Sequence, residues 1–256
     1  MMDGRWVWAV VLFVMAAPPL WGWTPQSQER IAEEAARLAP PDLYRQIVRH
    51  RQVFADGVRA PFGDQDAANH NQNPDGGRLD QVIESMVQTA IEAIRAPRPF
   101  HEVVYRLGIV AHYVADANNP LNTANSDPAE KRYYADFLAY LESTHPRVEA
   151  VFYGFRPRIG PAEMRQMMGE TFQRGRQFYP LVGREYQRIG FQNGVRHFDD
   201  RSTAYAISAL AFSHAISDIA EVLRYIWLEA GGIDTRSRLP VRGLHRLPLP
   251  RNDVAR

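Results

Sequence analysis

Two residue pairs in this sequence have the spacing to converge on one point of a helix face: His112 with Asp116, and His214 with Asp218. On a helix, positions four apart are neighbours, so an imidazole and a carboxylate placed this way can share a cation or a hydrogen bond. Neutral imidazole with carboxylate suits zinc, and also manganese or iron. The chain carries eight histidines and no cysteine, so any metal must be held by nitrogen and oxygen, and disulfides and thiolate nucleophiles are excluded. His214 and Asp218 lie in an otherwise apolar stretch, where they are expected to satisfy each other or a backbone carbonyl. His145 and Glu149 share the spacing, but Pro146 between them disfavours a regular helix. Asp199 and Asp200 are adjacent and so point to different places, while His50, His101, His197 and His245 lack ligand spacing and are expected at the solvated surface. A glycine-rich phosphate loop, a Gly-x-Ser-x-Gly elbow and a His-Glu-x-x-His motif are all missing.

The elements that must position these residues read as helices. Between 79 and 94, apolar residues fall at 79, 82, 83, 86, 87, 90, 91 and 94, one face at a 3.6-residue period. Ile31, Ala35 and Leu38 repeat the pattern after Thr24-Pro25, a capping residue followed by a pre-set first helical φ. Further helices are expected over 100–116, 129–143, 161–188 and 203–229, with long Asp-, Asn-, Gly- and Pro-rich loops at 55–77 and 117–127. No stretch alternates with period two, there is no internal repeat, and 45% apolar residues with 23% charged ones suit a protein that buries a core. The expected fold class is all-α, a single multi-helix domain.

The stretch 108–125, with His112, Tyr113, Asp116, Pro120 and Asn125, resembles the signature of the zinc-dependent phospholipase C family, His-Tyr-x-(Gly or Thr)-Asp, three residues, then Pro-x-His-x-x-Asn. Upstream, His70 followed by Pro74-Asp75-x-Gly77 is similar to the family's metal-binding histidine and its Pro-Asp-x-Gly. The resemblance covers roughly 23–140, and fungal single-strand nucleases share this all-helical superfamily. It implies an exported phosphodiester hydrolase with a cluster of up to three zinc ions and a phospholipid or other phosphodiester as substrate, with no specific nucleic-acid partner. Carried over residue by residue, it implies metal ligands at His70, His112 and Asp116, an aspartate at Asp64 or Asp66, of which Asp64 is taken, and a mature N-terminus at Trp23. Asp64 and Asp116 are the implied catalytic carboxylates. Where the family has further ligand histidines, this chain has Gln28 and Asn122, and the helical pair expected after the signature falls on 131–135, which has no ligand at either end. A neutral amide is a poor zinc ligand beside imidazole or carboxylate. The expected count is therefore one zinc, and the alternative is a degenerate relative that binds a phosphorylated ligand or lipid headgroup without turnover.

The two ends of the chain carry different signals. Arg5 precedes an apolar run at 6–17 that stops at Pro18-Pro19, too short for a bilayer span of roughly 20 residues and of the form of a secretory signal. This gives a signal segment at 1–22, with an uncleaved membrane anchor as the alternative, and a helical domain at 23–235. The last stretch, 236–256, holds six arginines against one acid, Asp253, and reads as a poorly ordered basic tail able to touch an anionic membrane surface.

Overall fold

A computed structural model of the chain describes residues 22–96, 98–236 and 243–247. Among them are nine α-helices: α1 Pro25–Ala36, α2 Pro41–Arg49, α3 Arg51–Arg59, α4 Leu79–Arg95, α5 Phe100–Ala117, α6 Tyr134–Thr144, α7 Pro161–Arg188, α8 Gly194–His197 and α9 Thr203–Glu229. Short 3₁₀ turns occupy Ala60–Gly63, Ala67–Asn69, Pro120–Asn122, Glu130–Arg132 and His145–Arg147. The expected all-α class is thus what the chain adopts. The predicted cap forms, with Thr24 Oγ1 accepting from Ser27 N at 3.3 Å, and Ser202 caps α9 in the same way by accepting from Tyr205 N.

Helices α5 and α9 are buried on nearly every side through their middle turns, which explains why both read as apolar almost all round. Around α5 pack α3, α4, α9 and α1, with α7 closing over α9. Helix α9 is long and apolar enough to cross a membrane, but 72% of its most apolar window lies inside the protein, and its Glu221 and Arg224 pair at 2.9 Å.

Two departures from the sequence reading bear on the site. Residues 55–59 are the end of α3 rather than loop, because Gly57 serves contact and not a turn. A Cβ at Gly57 would lie 2.1 Å from Tyr105 O, and one at Gly108 would lie 2.3 Å from Phe54 O, so α3 and α5 touch backbone to backbone. Gly108→Ala is expected to destabilise the protein by roughly 1–3 kcal/mol through overpacking, read as a lower midpoint in urea with an unchanged slope. The second departure lies in the basic tail. His245–Arg246 form a short strand, β2, antiparallel to β1 (Val151–Phe152), and Leu247 N donates to Ala150 O. Two-residue strands are too short for an alternating pattern to register. The signal segment at 1–21 and the tail at 237–242 and 248–256 lie outside the described residues.

Candidate metal centre

The last two turns of α5 set His112 and Asp116 on one face, as their spacing predicts, and the loop after the Ala67–Asn69 turn carries His70 to the same point. Asp116 Oδ2 lies 2.8 Å from His70 Nδ1 and 3.2 Å from His112 Nε2. The ligand atoms of all three lie within 4.8 Å of one another, and no side chain of the set is more than 1% exposed.

The tautomer of His112 follows from its other nitrogen. Nδ1 lies 2.8 Å from Val58 O, a group that can only accept, so Nδ1 carries the hydrogen and donates it. Nε2 faces a carboxylate oxygen 3.2 Å away and makes no hydrogen bond. An unpartnered buried imidazole nitrogen beside a carboxylate, with an orienting backbone carbonyl behind the ring, is the arrangement of a metal site. His70 supplies the other side. Burial alone would lower its pKa, but the hydrogen bond and charge of Asp116, the charge of Asp64 and the carbonyl of Pro61 outweigh burial and raise it. That shift favours a proton held between His70 and Asp116, in competition with a metal ion. Two imidazoles and a carboxylate, buried and convergent, fit zinc.

Asp64 lies outside this triad, reached through Tyr113, whose ring packs against His70 and His112. Its Oδ2 accepts from Asn69 Nδ2 at 2.8 Å and from Tyr113 OH at 3.3 Å, and its Oδ1 from Asp66 N at 2.9 Å. Partial burial would raise its pKa, yet these donors and the charge of His70 bring it below the ordinary carboxylate value, so it is ionised at neutral pH. Asp66 is exposed and paired with Arg78, which leaves Asp64 as the loop aspartate that faces the centre.

Trp23 lies on the far side of Asp116 from the histidines. In this chain its nitrogen is a peptide nitrogen joined to Gly22, and its fully buried indole donates from Nε1 to Ala115 O at 2.7 Å, bracing α5 from below. Gly22, at φ +80°, runs so close that a Cβ there would lie 2.6 Å from both Asp116 Oδ1 and Asn122 Nδ2. The positions with amides in place of expected histidines gather at this same flank. Gln28 Nε2 donates to Asp116 Oδ1 at 2.8 Å, while Asn122 is buried with its Nδ2 unpartnered.

His145 and Glu149 do not converge. The Pro146 turn sends Glu149 outward to Arg246, while His145 is enclosed between Trp23 and Phe212 with Ser27 Oγ at 3.0 Å from its Nδ1. Burial, with Arg30 adding to it, holds the His145 pKa down at about 3. The unfolded chain binds a proton at this position near pH 6.5 and the native state does not. Stability from this group is therefore full above about pH 6.5 and is lost as pH falls toward 3, by about 1.4 kcal/mol per unit. His145→Gln should flatten the pH dependence of the unfolding free energy over that window relative to the parent.

Sequence reasoning missed Val58 and Ser27, which act through a backbone carbonyl and a hydroxyl without motif spacing, and it missed Tyr113 as the link to Asp64. His214 and Asp218 do not satisfy each other: His214 stacks on Tyr153, and Asp218 accepts from Thr171 and Arg174.

No family model and no curated protein sequence matches the chain. Among solved structures it is similar to the crystal structure of Clostridium perfringens alpha-toxin from the avian strain SWCP, with a TM-score of 0.56 and 12% identity over 85% of this chain and 68% of that one. At that identity the likeness is one of fold: this chain shares a helical architecture with the part of the alpha-toxin that it covers, and carries within it a buried His70–His112–Asp116 cluster able to hold a metal ion.

Proposed function

We propose that this protein is an exported, phospholipase C-like phosphodiester hydrolase working with one zinc ion held by His70, His112 and Asp116. The observation that carries the reading is the buried convergence of His70, His112 and Asp116, with His112 Nε2 unpartnered 3.2 Å from Asp116 Oδ2. The likeness of the 108–125 stretch to the phospholipase C signature and the shared alpha-toxin fold both support it. Bound zinc supplies charge neutralisation for a phosphoryl group and acidifies water. The protein's own groups divide the remaining work: the Val58 carbonyl orients the His112 imidazole, and Asp64, ionised and partly exposed, takes the proton from water at the rim. The substrate is a phospholipid or another phosphodiester, and the arginine-rich tail favours an anionic membrane surface.

A second reading, a relative that binds a phosphorylated headgroup without turnover, is favoured by the amides of Gln28 and Asn122 beside Asp116. Fewer metals would remove much of the charge stabilisation, and losing even one such stabiliser costs about 10²–10³ in rate. Metal analysis of the purified protein together with hydrolysis of a choline phosphodiester, a lipid emulsion and single-stranded RNA separates the two. One zinc per chain with turnover lost in Asp116→Asn selects the enzyme. Headgroup binding with zero turnover selects the binder, and absence of any bound metal overturns both the zinc assignment and the hydrolase.

A further inference from the structure

The second His-x-x-x-Asp pair, His214 and Asp218, opens on a cleft of about 320 Å³ between β1, α7 and α9. The charged groups there are already matched. Arg156 pairs with Glu170 at 2.6 Å, Arg174 with Asp218 at 2.7 Å, and Glu221 with Arg224 at 2.9 Å. A cationic ligand would confront the two arginines and an anionic one the three carboxylates, and either would have to break a partly buried ion pair to find a partner. No group of three metal-ligating side chains gathers here among the described residues.

What remains uncommitted is neutral. The Tyr153 hydroxyl and the His214 imidazole hold no hydrogen bond among the described residues, although both side chains line the cleft and stack at 4.1 Å. Burial first, and then the charge of Arg174, hold the His214 pKa down at about 4, so near pH 7 its ring offers one donor and one acceptor. The tyrosine hydroxyl offers both as well. Groups that each donate and accept match hydroxyls, which do the same, and a cleft of this volume lies within the range of small-ligand sites. We propose that this cleft binds a neutral polyhydroxylated ring, a sugar or a cyclitol, through Tyr153 and His214.

The test follows the His214 ring resonances of the full chain, labelled in histidine, while methyl hexosides or myo-inositol are added. A saturable shift of His214 with a neutral ring, weakened at least fivefold in Tyr153→Phe, is the expected result; in His214→Phe, saturation transfer to the same ring should fall equally. Vesicles bearing a glycosylated diacylglycerol form a second arm: a shift there, beyond that with free sugar, assigns the ring to a lipid headgroup. No shift with any neutral ring, an equal shift in Tyr153→Phe, or displacement of the sugar by inorganic phosphate or tetramethylammonium overturns the proposal. Running the series in the Asp116→Asn background keeps the outcome independent of the metal centre.

Discussion

Asp116→Asn is expected to abolish tight zinc binding while leaving the metal-free protein as stable as the parent, or more so. In the parent, Asp116 Oδ2 lies 3.2 Å from His112 Nε2, which makes no hydrogen bond. An asparagine Nδ2 in that place has two hydrogens, one for His112 Nε2 and one for His70 Nδ1 in its neutral form, while its Oδ1 still accepts from Gln28 Nε2, 2.8 Å away. The substitution thus turns a cation site into a satisfied hydrogen-bond network. Changes to groups behind a metal ligand cost 10–100-fold in affinity, so loss of the shared carboxylate should exceed about 100-fold. Thermal unfolding with and without zinc gives both halves of the result. The parent should gain about 4 kcal/mol at zinc concentrations near a thousand times its Kd, and the variant should gain nothing. A variant that unfolds without metal would show instead that the His70–Asp116 contact is a structural ion pair.

The contrast between His112 and His70 shows how much of this centre could be read in advance. His112 and Asp116 are four apart on a long apolar helix, so their convergence follows from helix geometry alone. His70 is separated from Asp116 by 46 residues, and only the likeness of its surroundings to a known signature placed it there. The orienting carbonyl of Val58 left no trace in the sequence, since every residue has a carbonyl. Its position depends on the α3–α5 crossing, which Gly57 and Gly108 permit by lacking side chains. Gly57 looks like a loop residue when read singly, which is why α3 ran unrecognised into the expected loop at 55–77. Helices α2 and α3, nine residues each and divided at His50, bury only two or three residues apiece and give too few periods to stand out. The fate of His145 was half legible: Pro146 correctly argued against a ligand pair with Glu149, but nothing indicated that the imidazole would be walled in by Trp23 and Phe212.

Gln28→Glu should make the protein depend on metal for its stability. Gln28 is fully buried, and its amide nitrogen donates to Asp116 Oδ1, the oxygen turned away from the two histidines. That hydrogen bond occupies the lone pair through which Asp116 could bridge to another ion, and an N–H aimed at this flank repels a cation. Glutamate has nearly the same shape but brings a carboxylate oxygen against Asp116 where water does not reach. With no cation present, one of the two acids must take up a proton or both must remain charged at close range. An uncompensated buried charge costs about 3–5 kcal/mol, and the loss should deepen as pH rises and the shared proton is withdrawn. Zinc should reverse the loss and bind at two ions per chain in place of one, because the substitution removes the N–H that caps Asp116, frees that carboxylate to bridge, and adds an anionic ligand beside it. Calorimetric unfolding of the metal-free variant reads the penalty, and metal analysis after loading reads the stoichiometry. A variant that keeps the parent's stability without metal and still holds a single ion would show that Gln28 does not govern how many metals this centre takes.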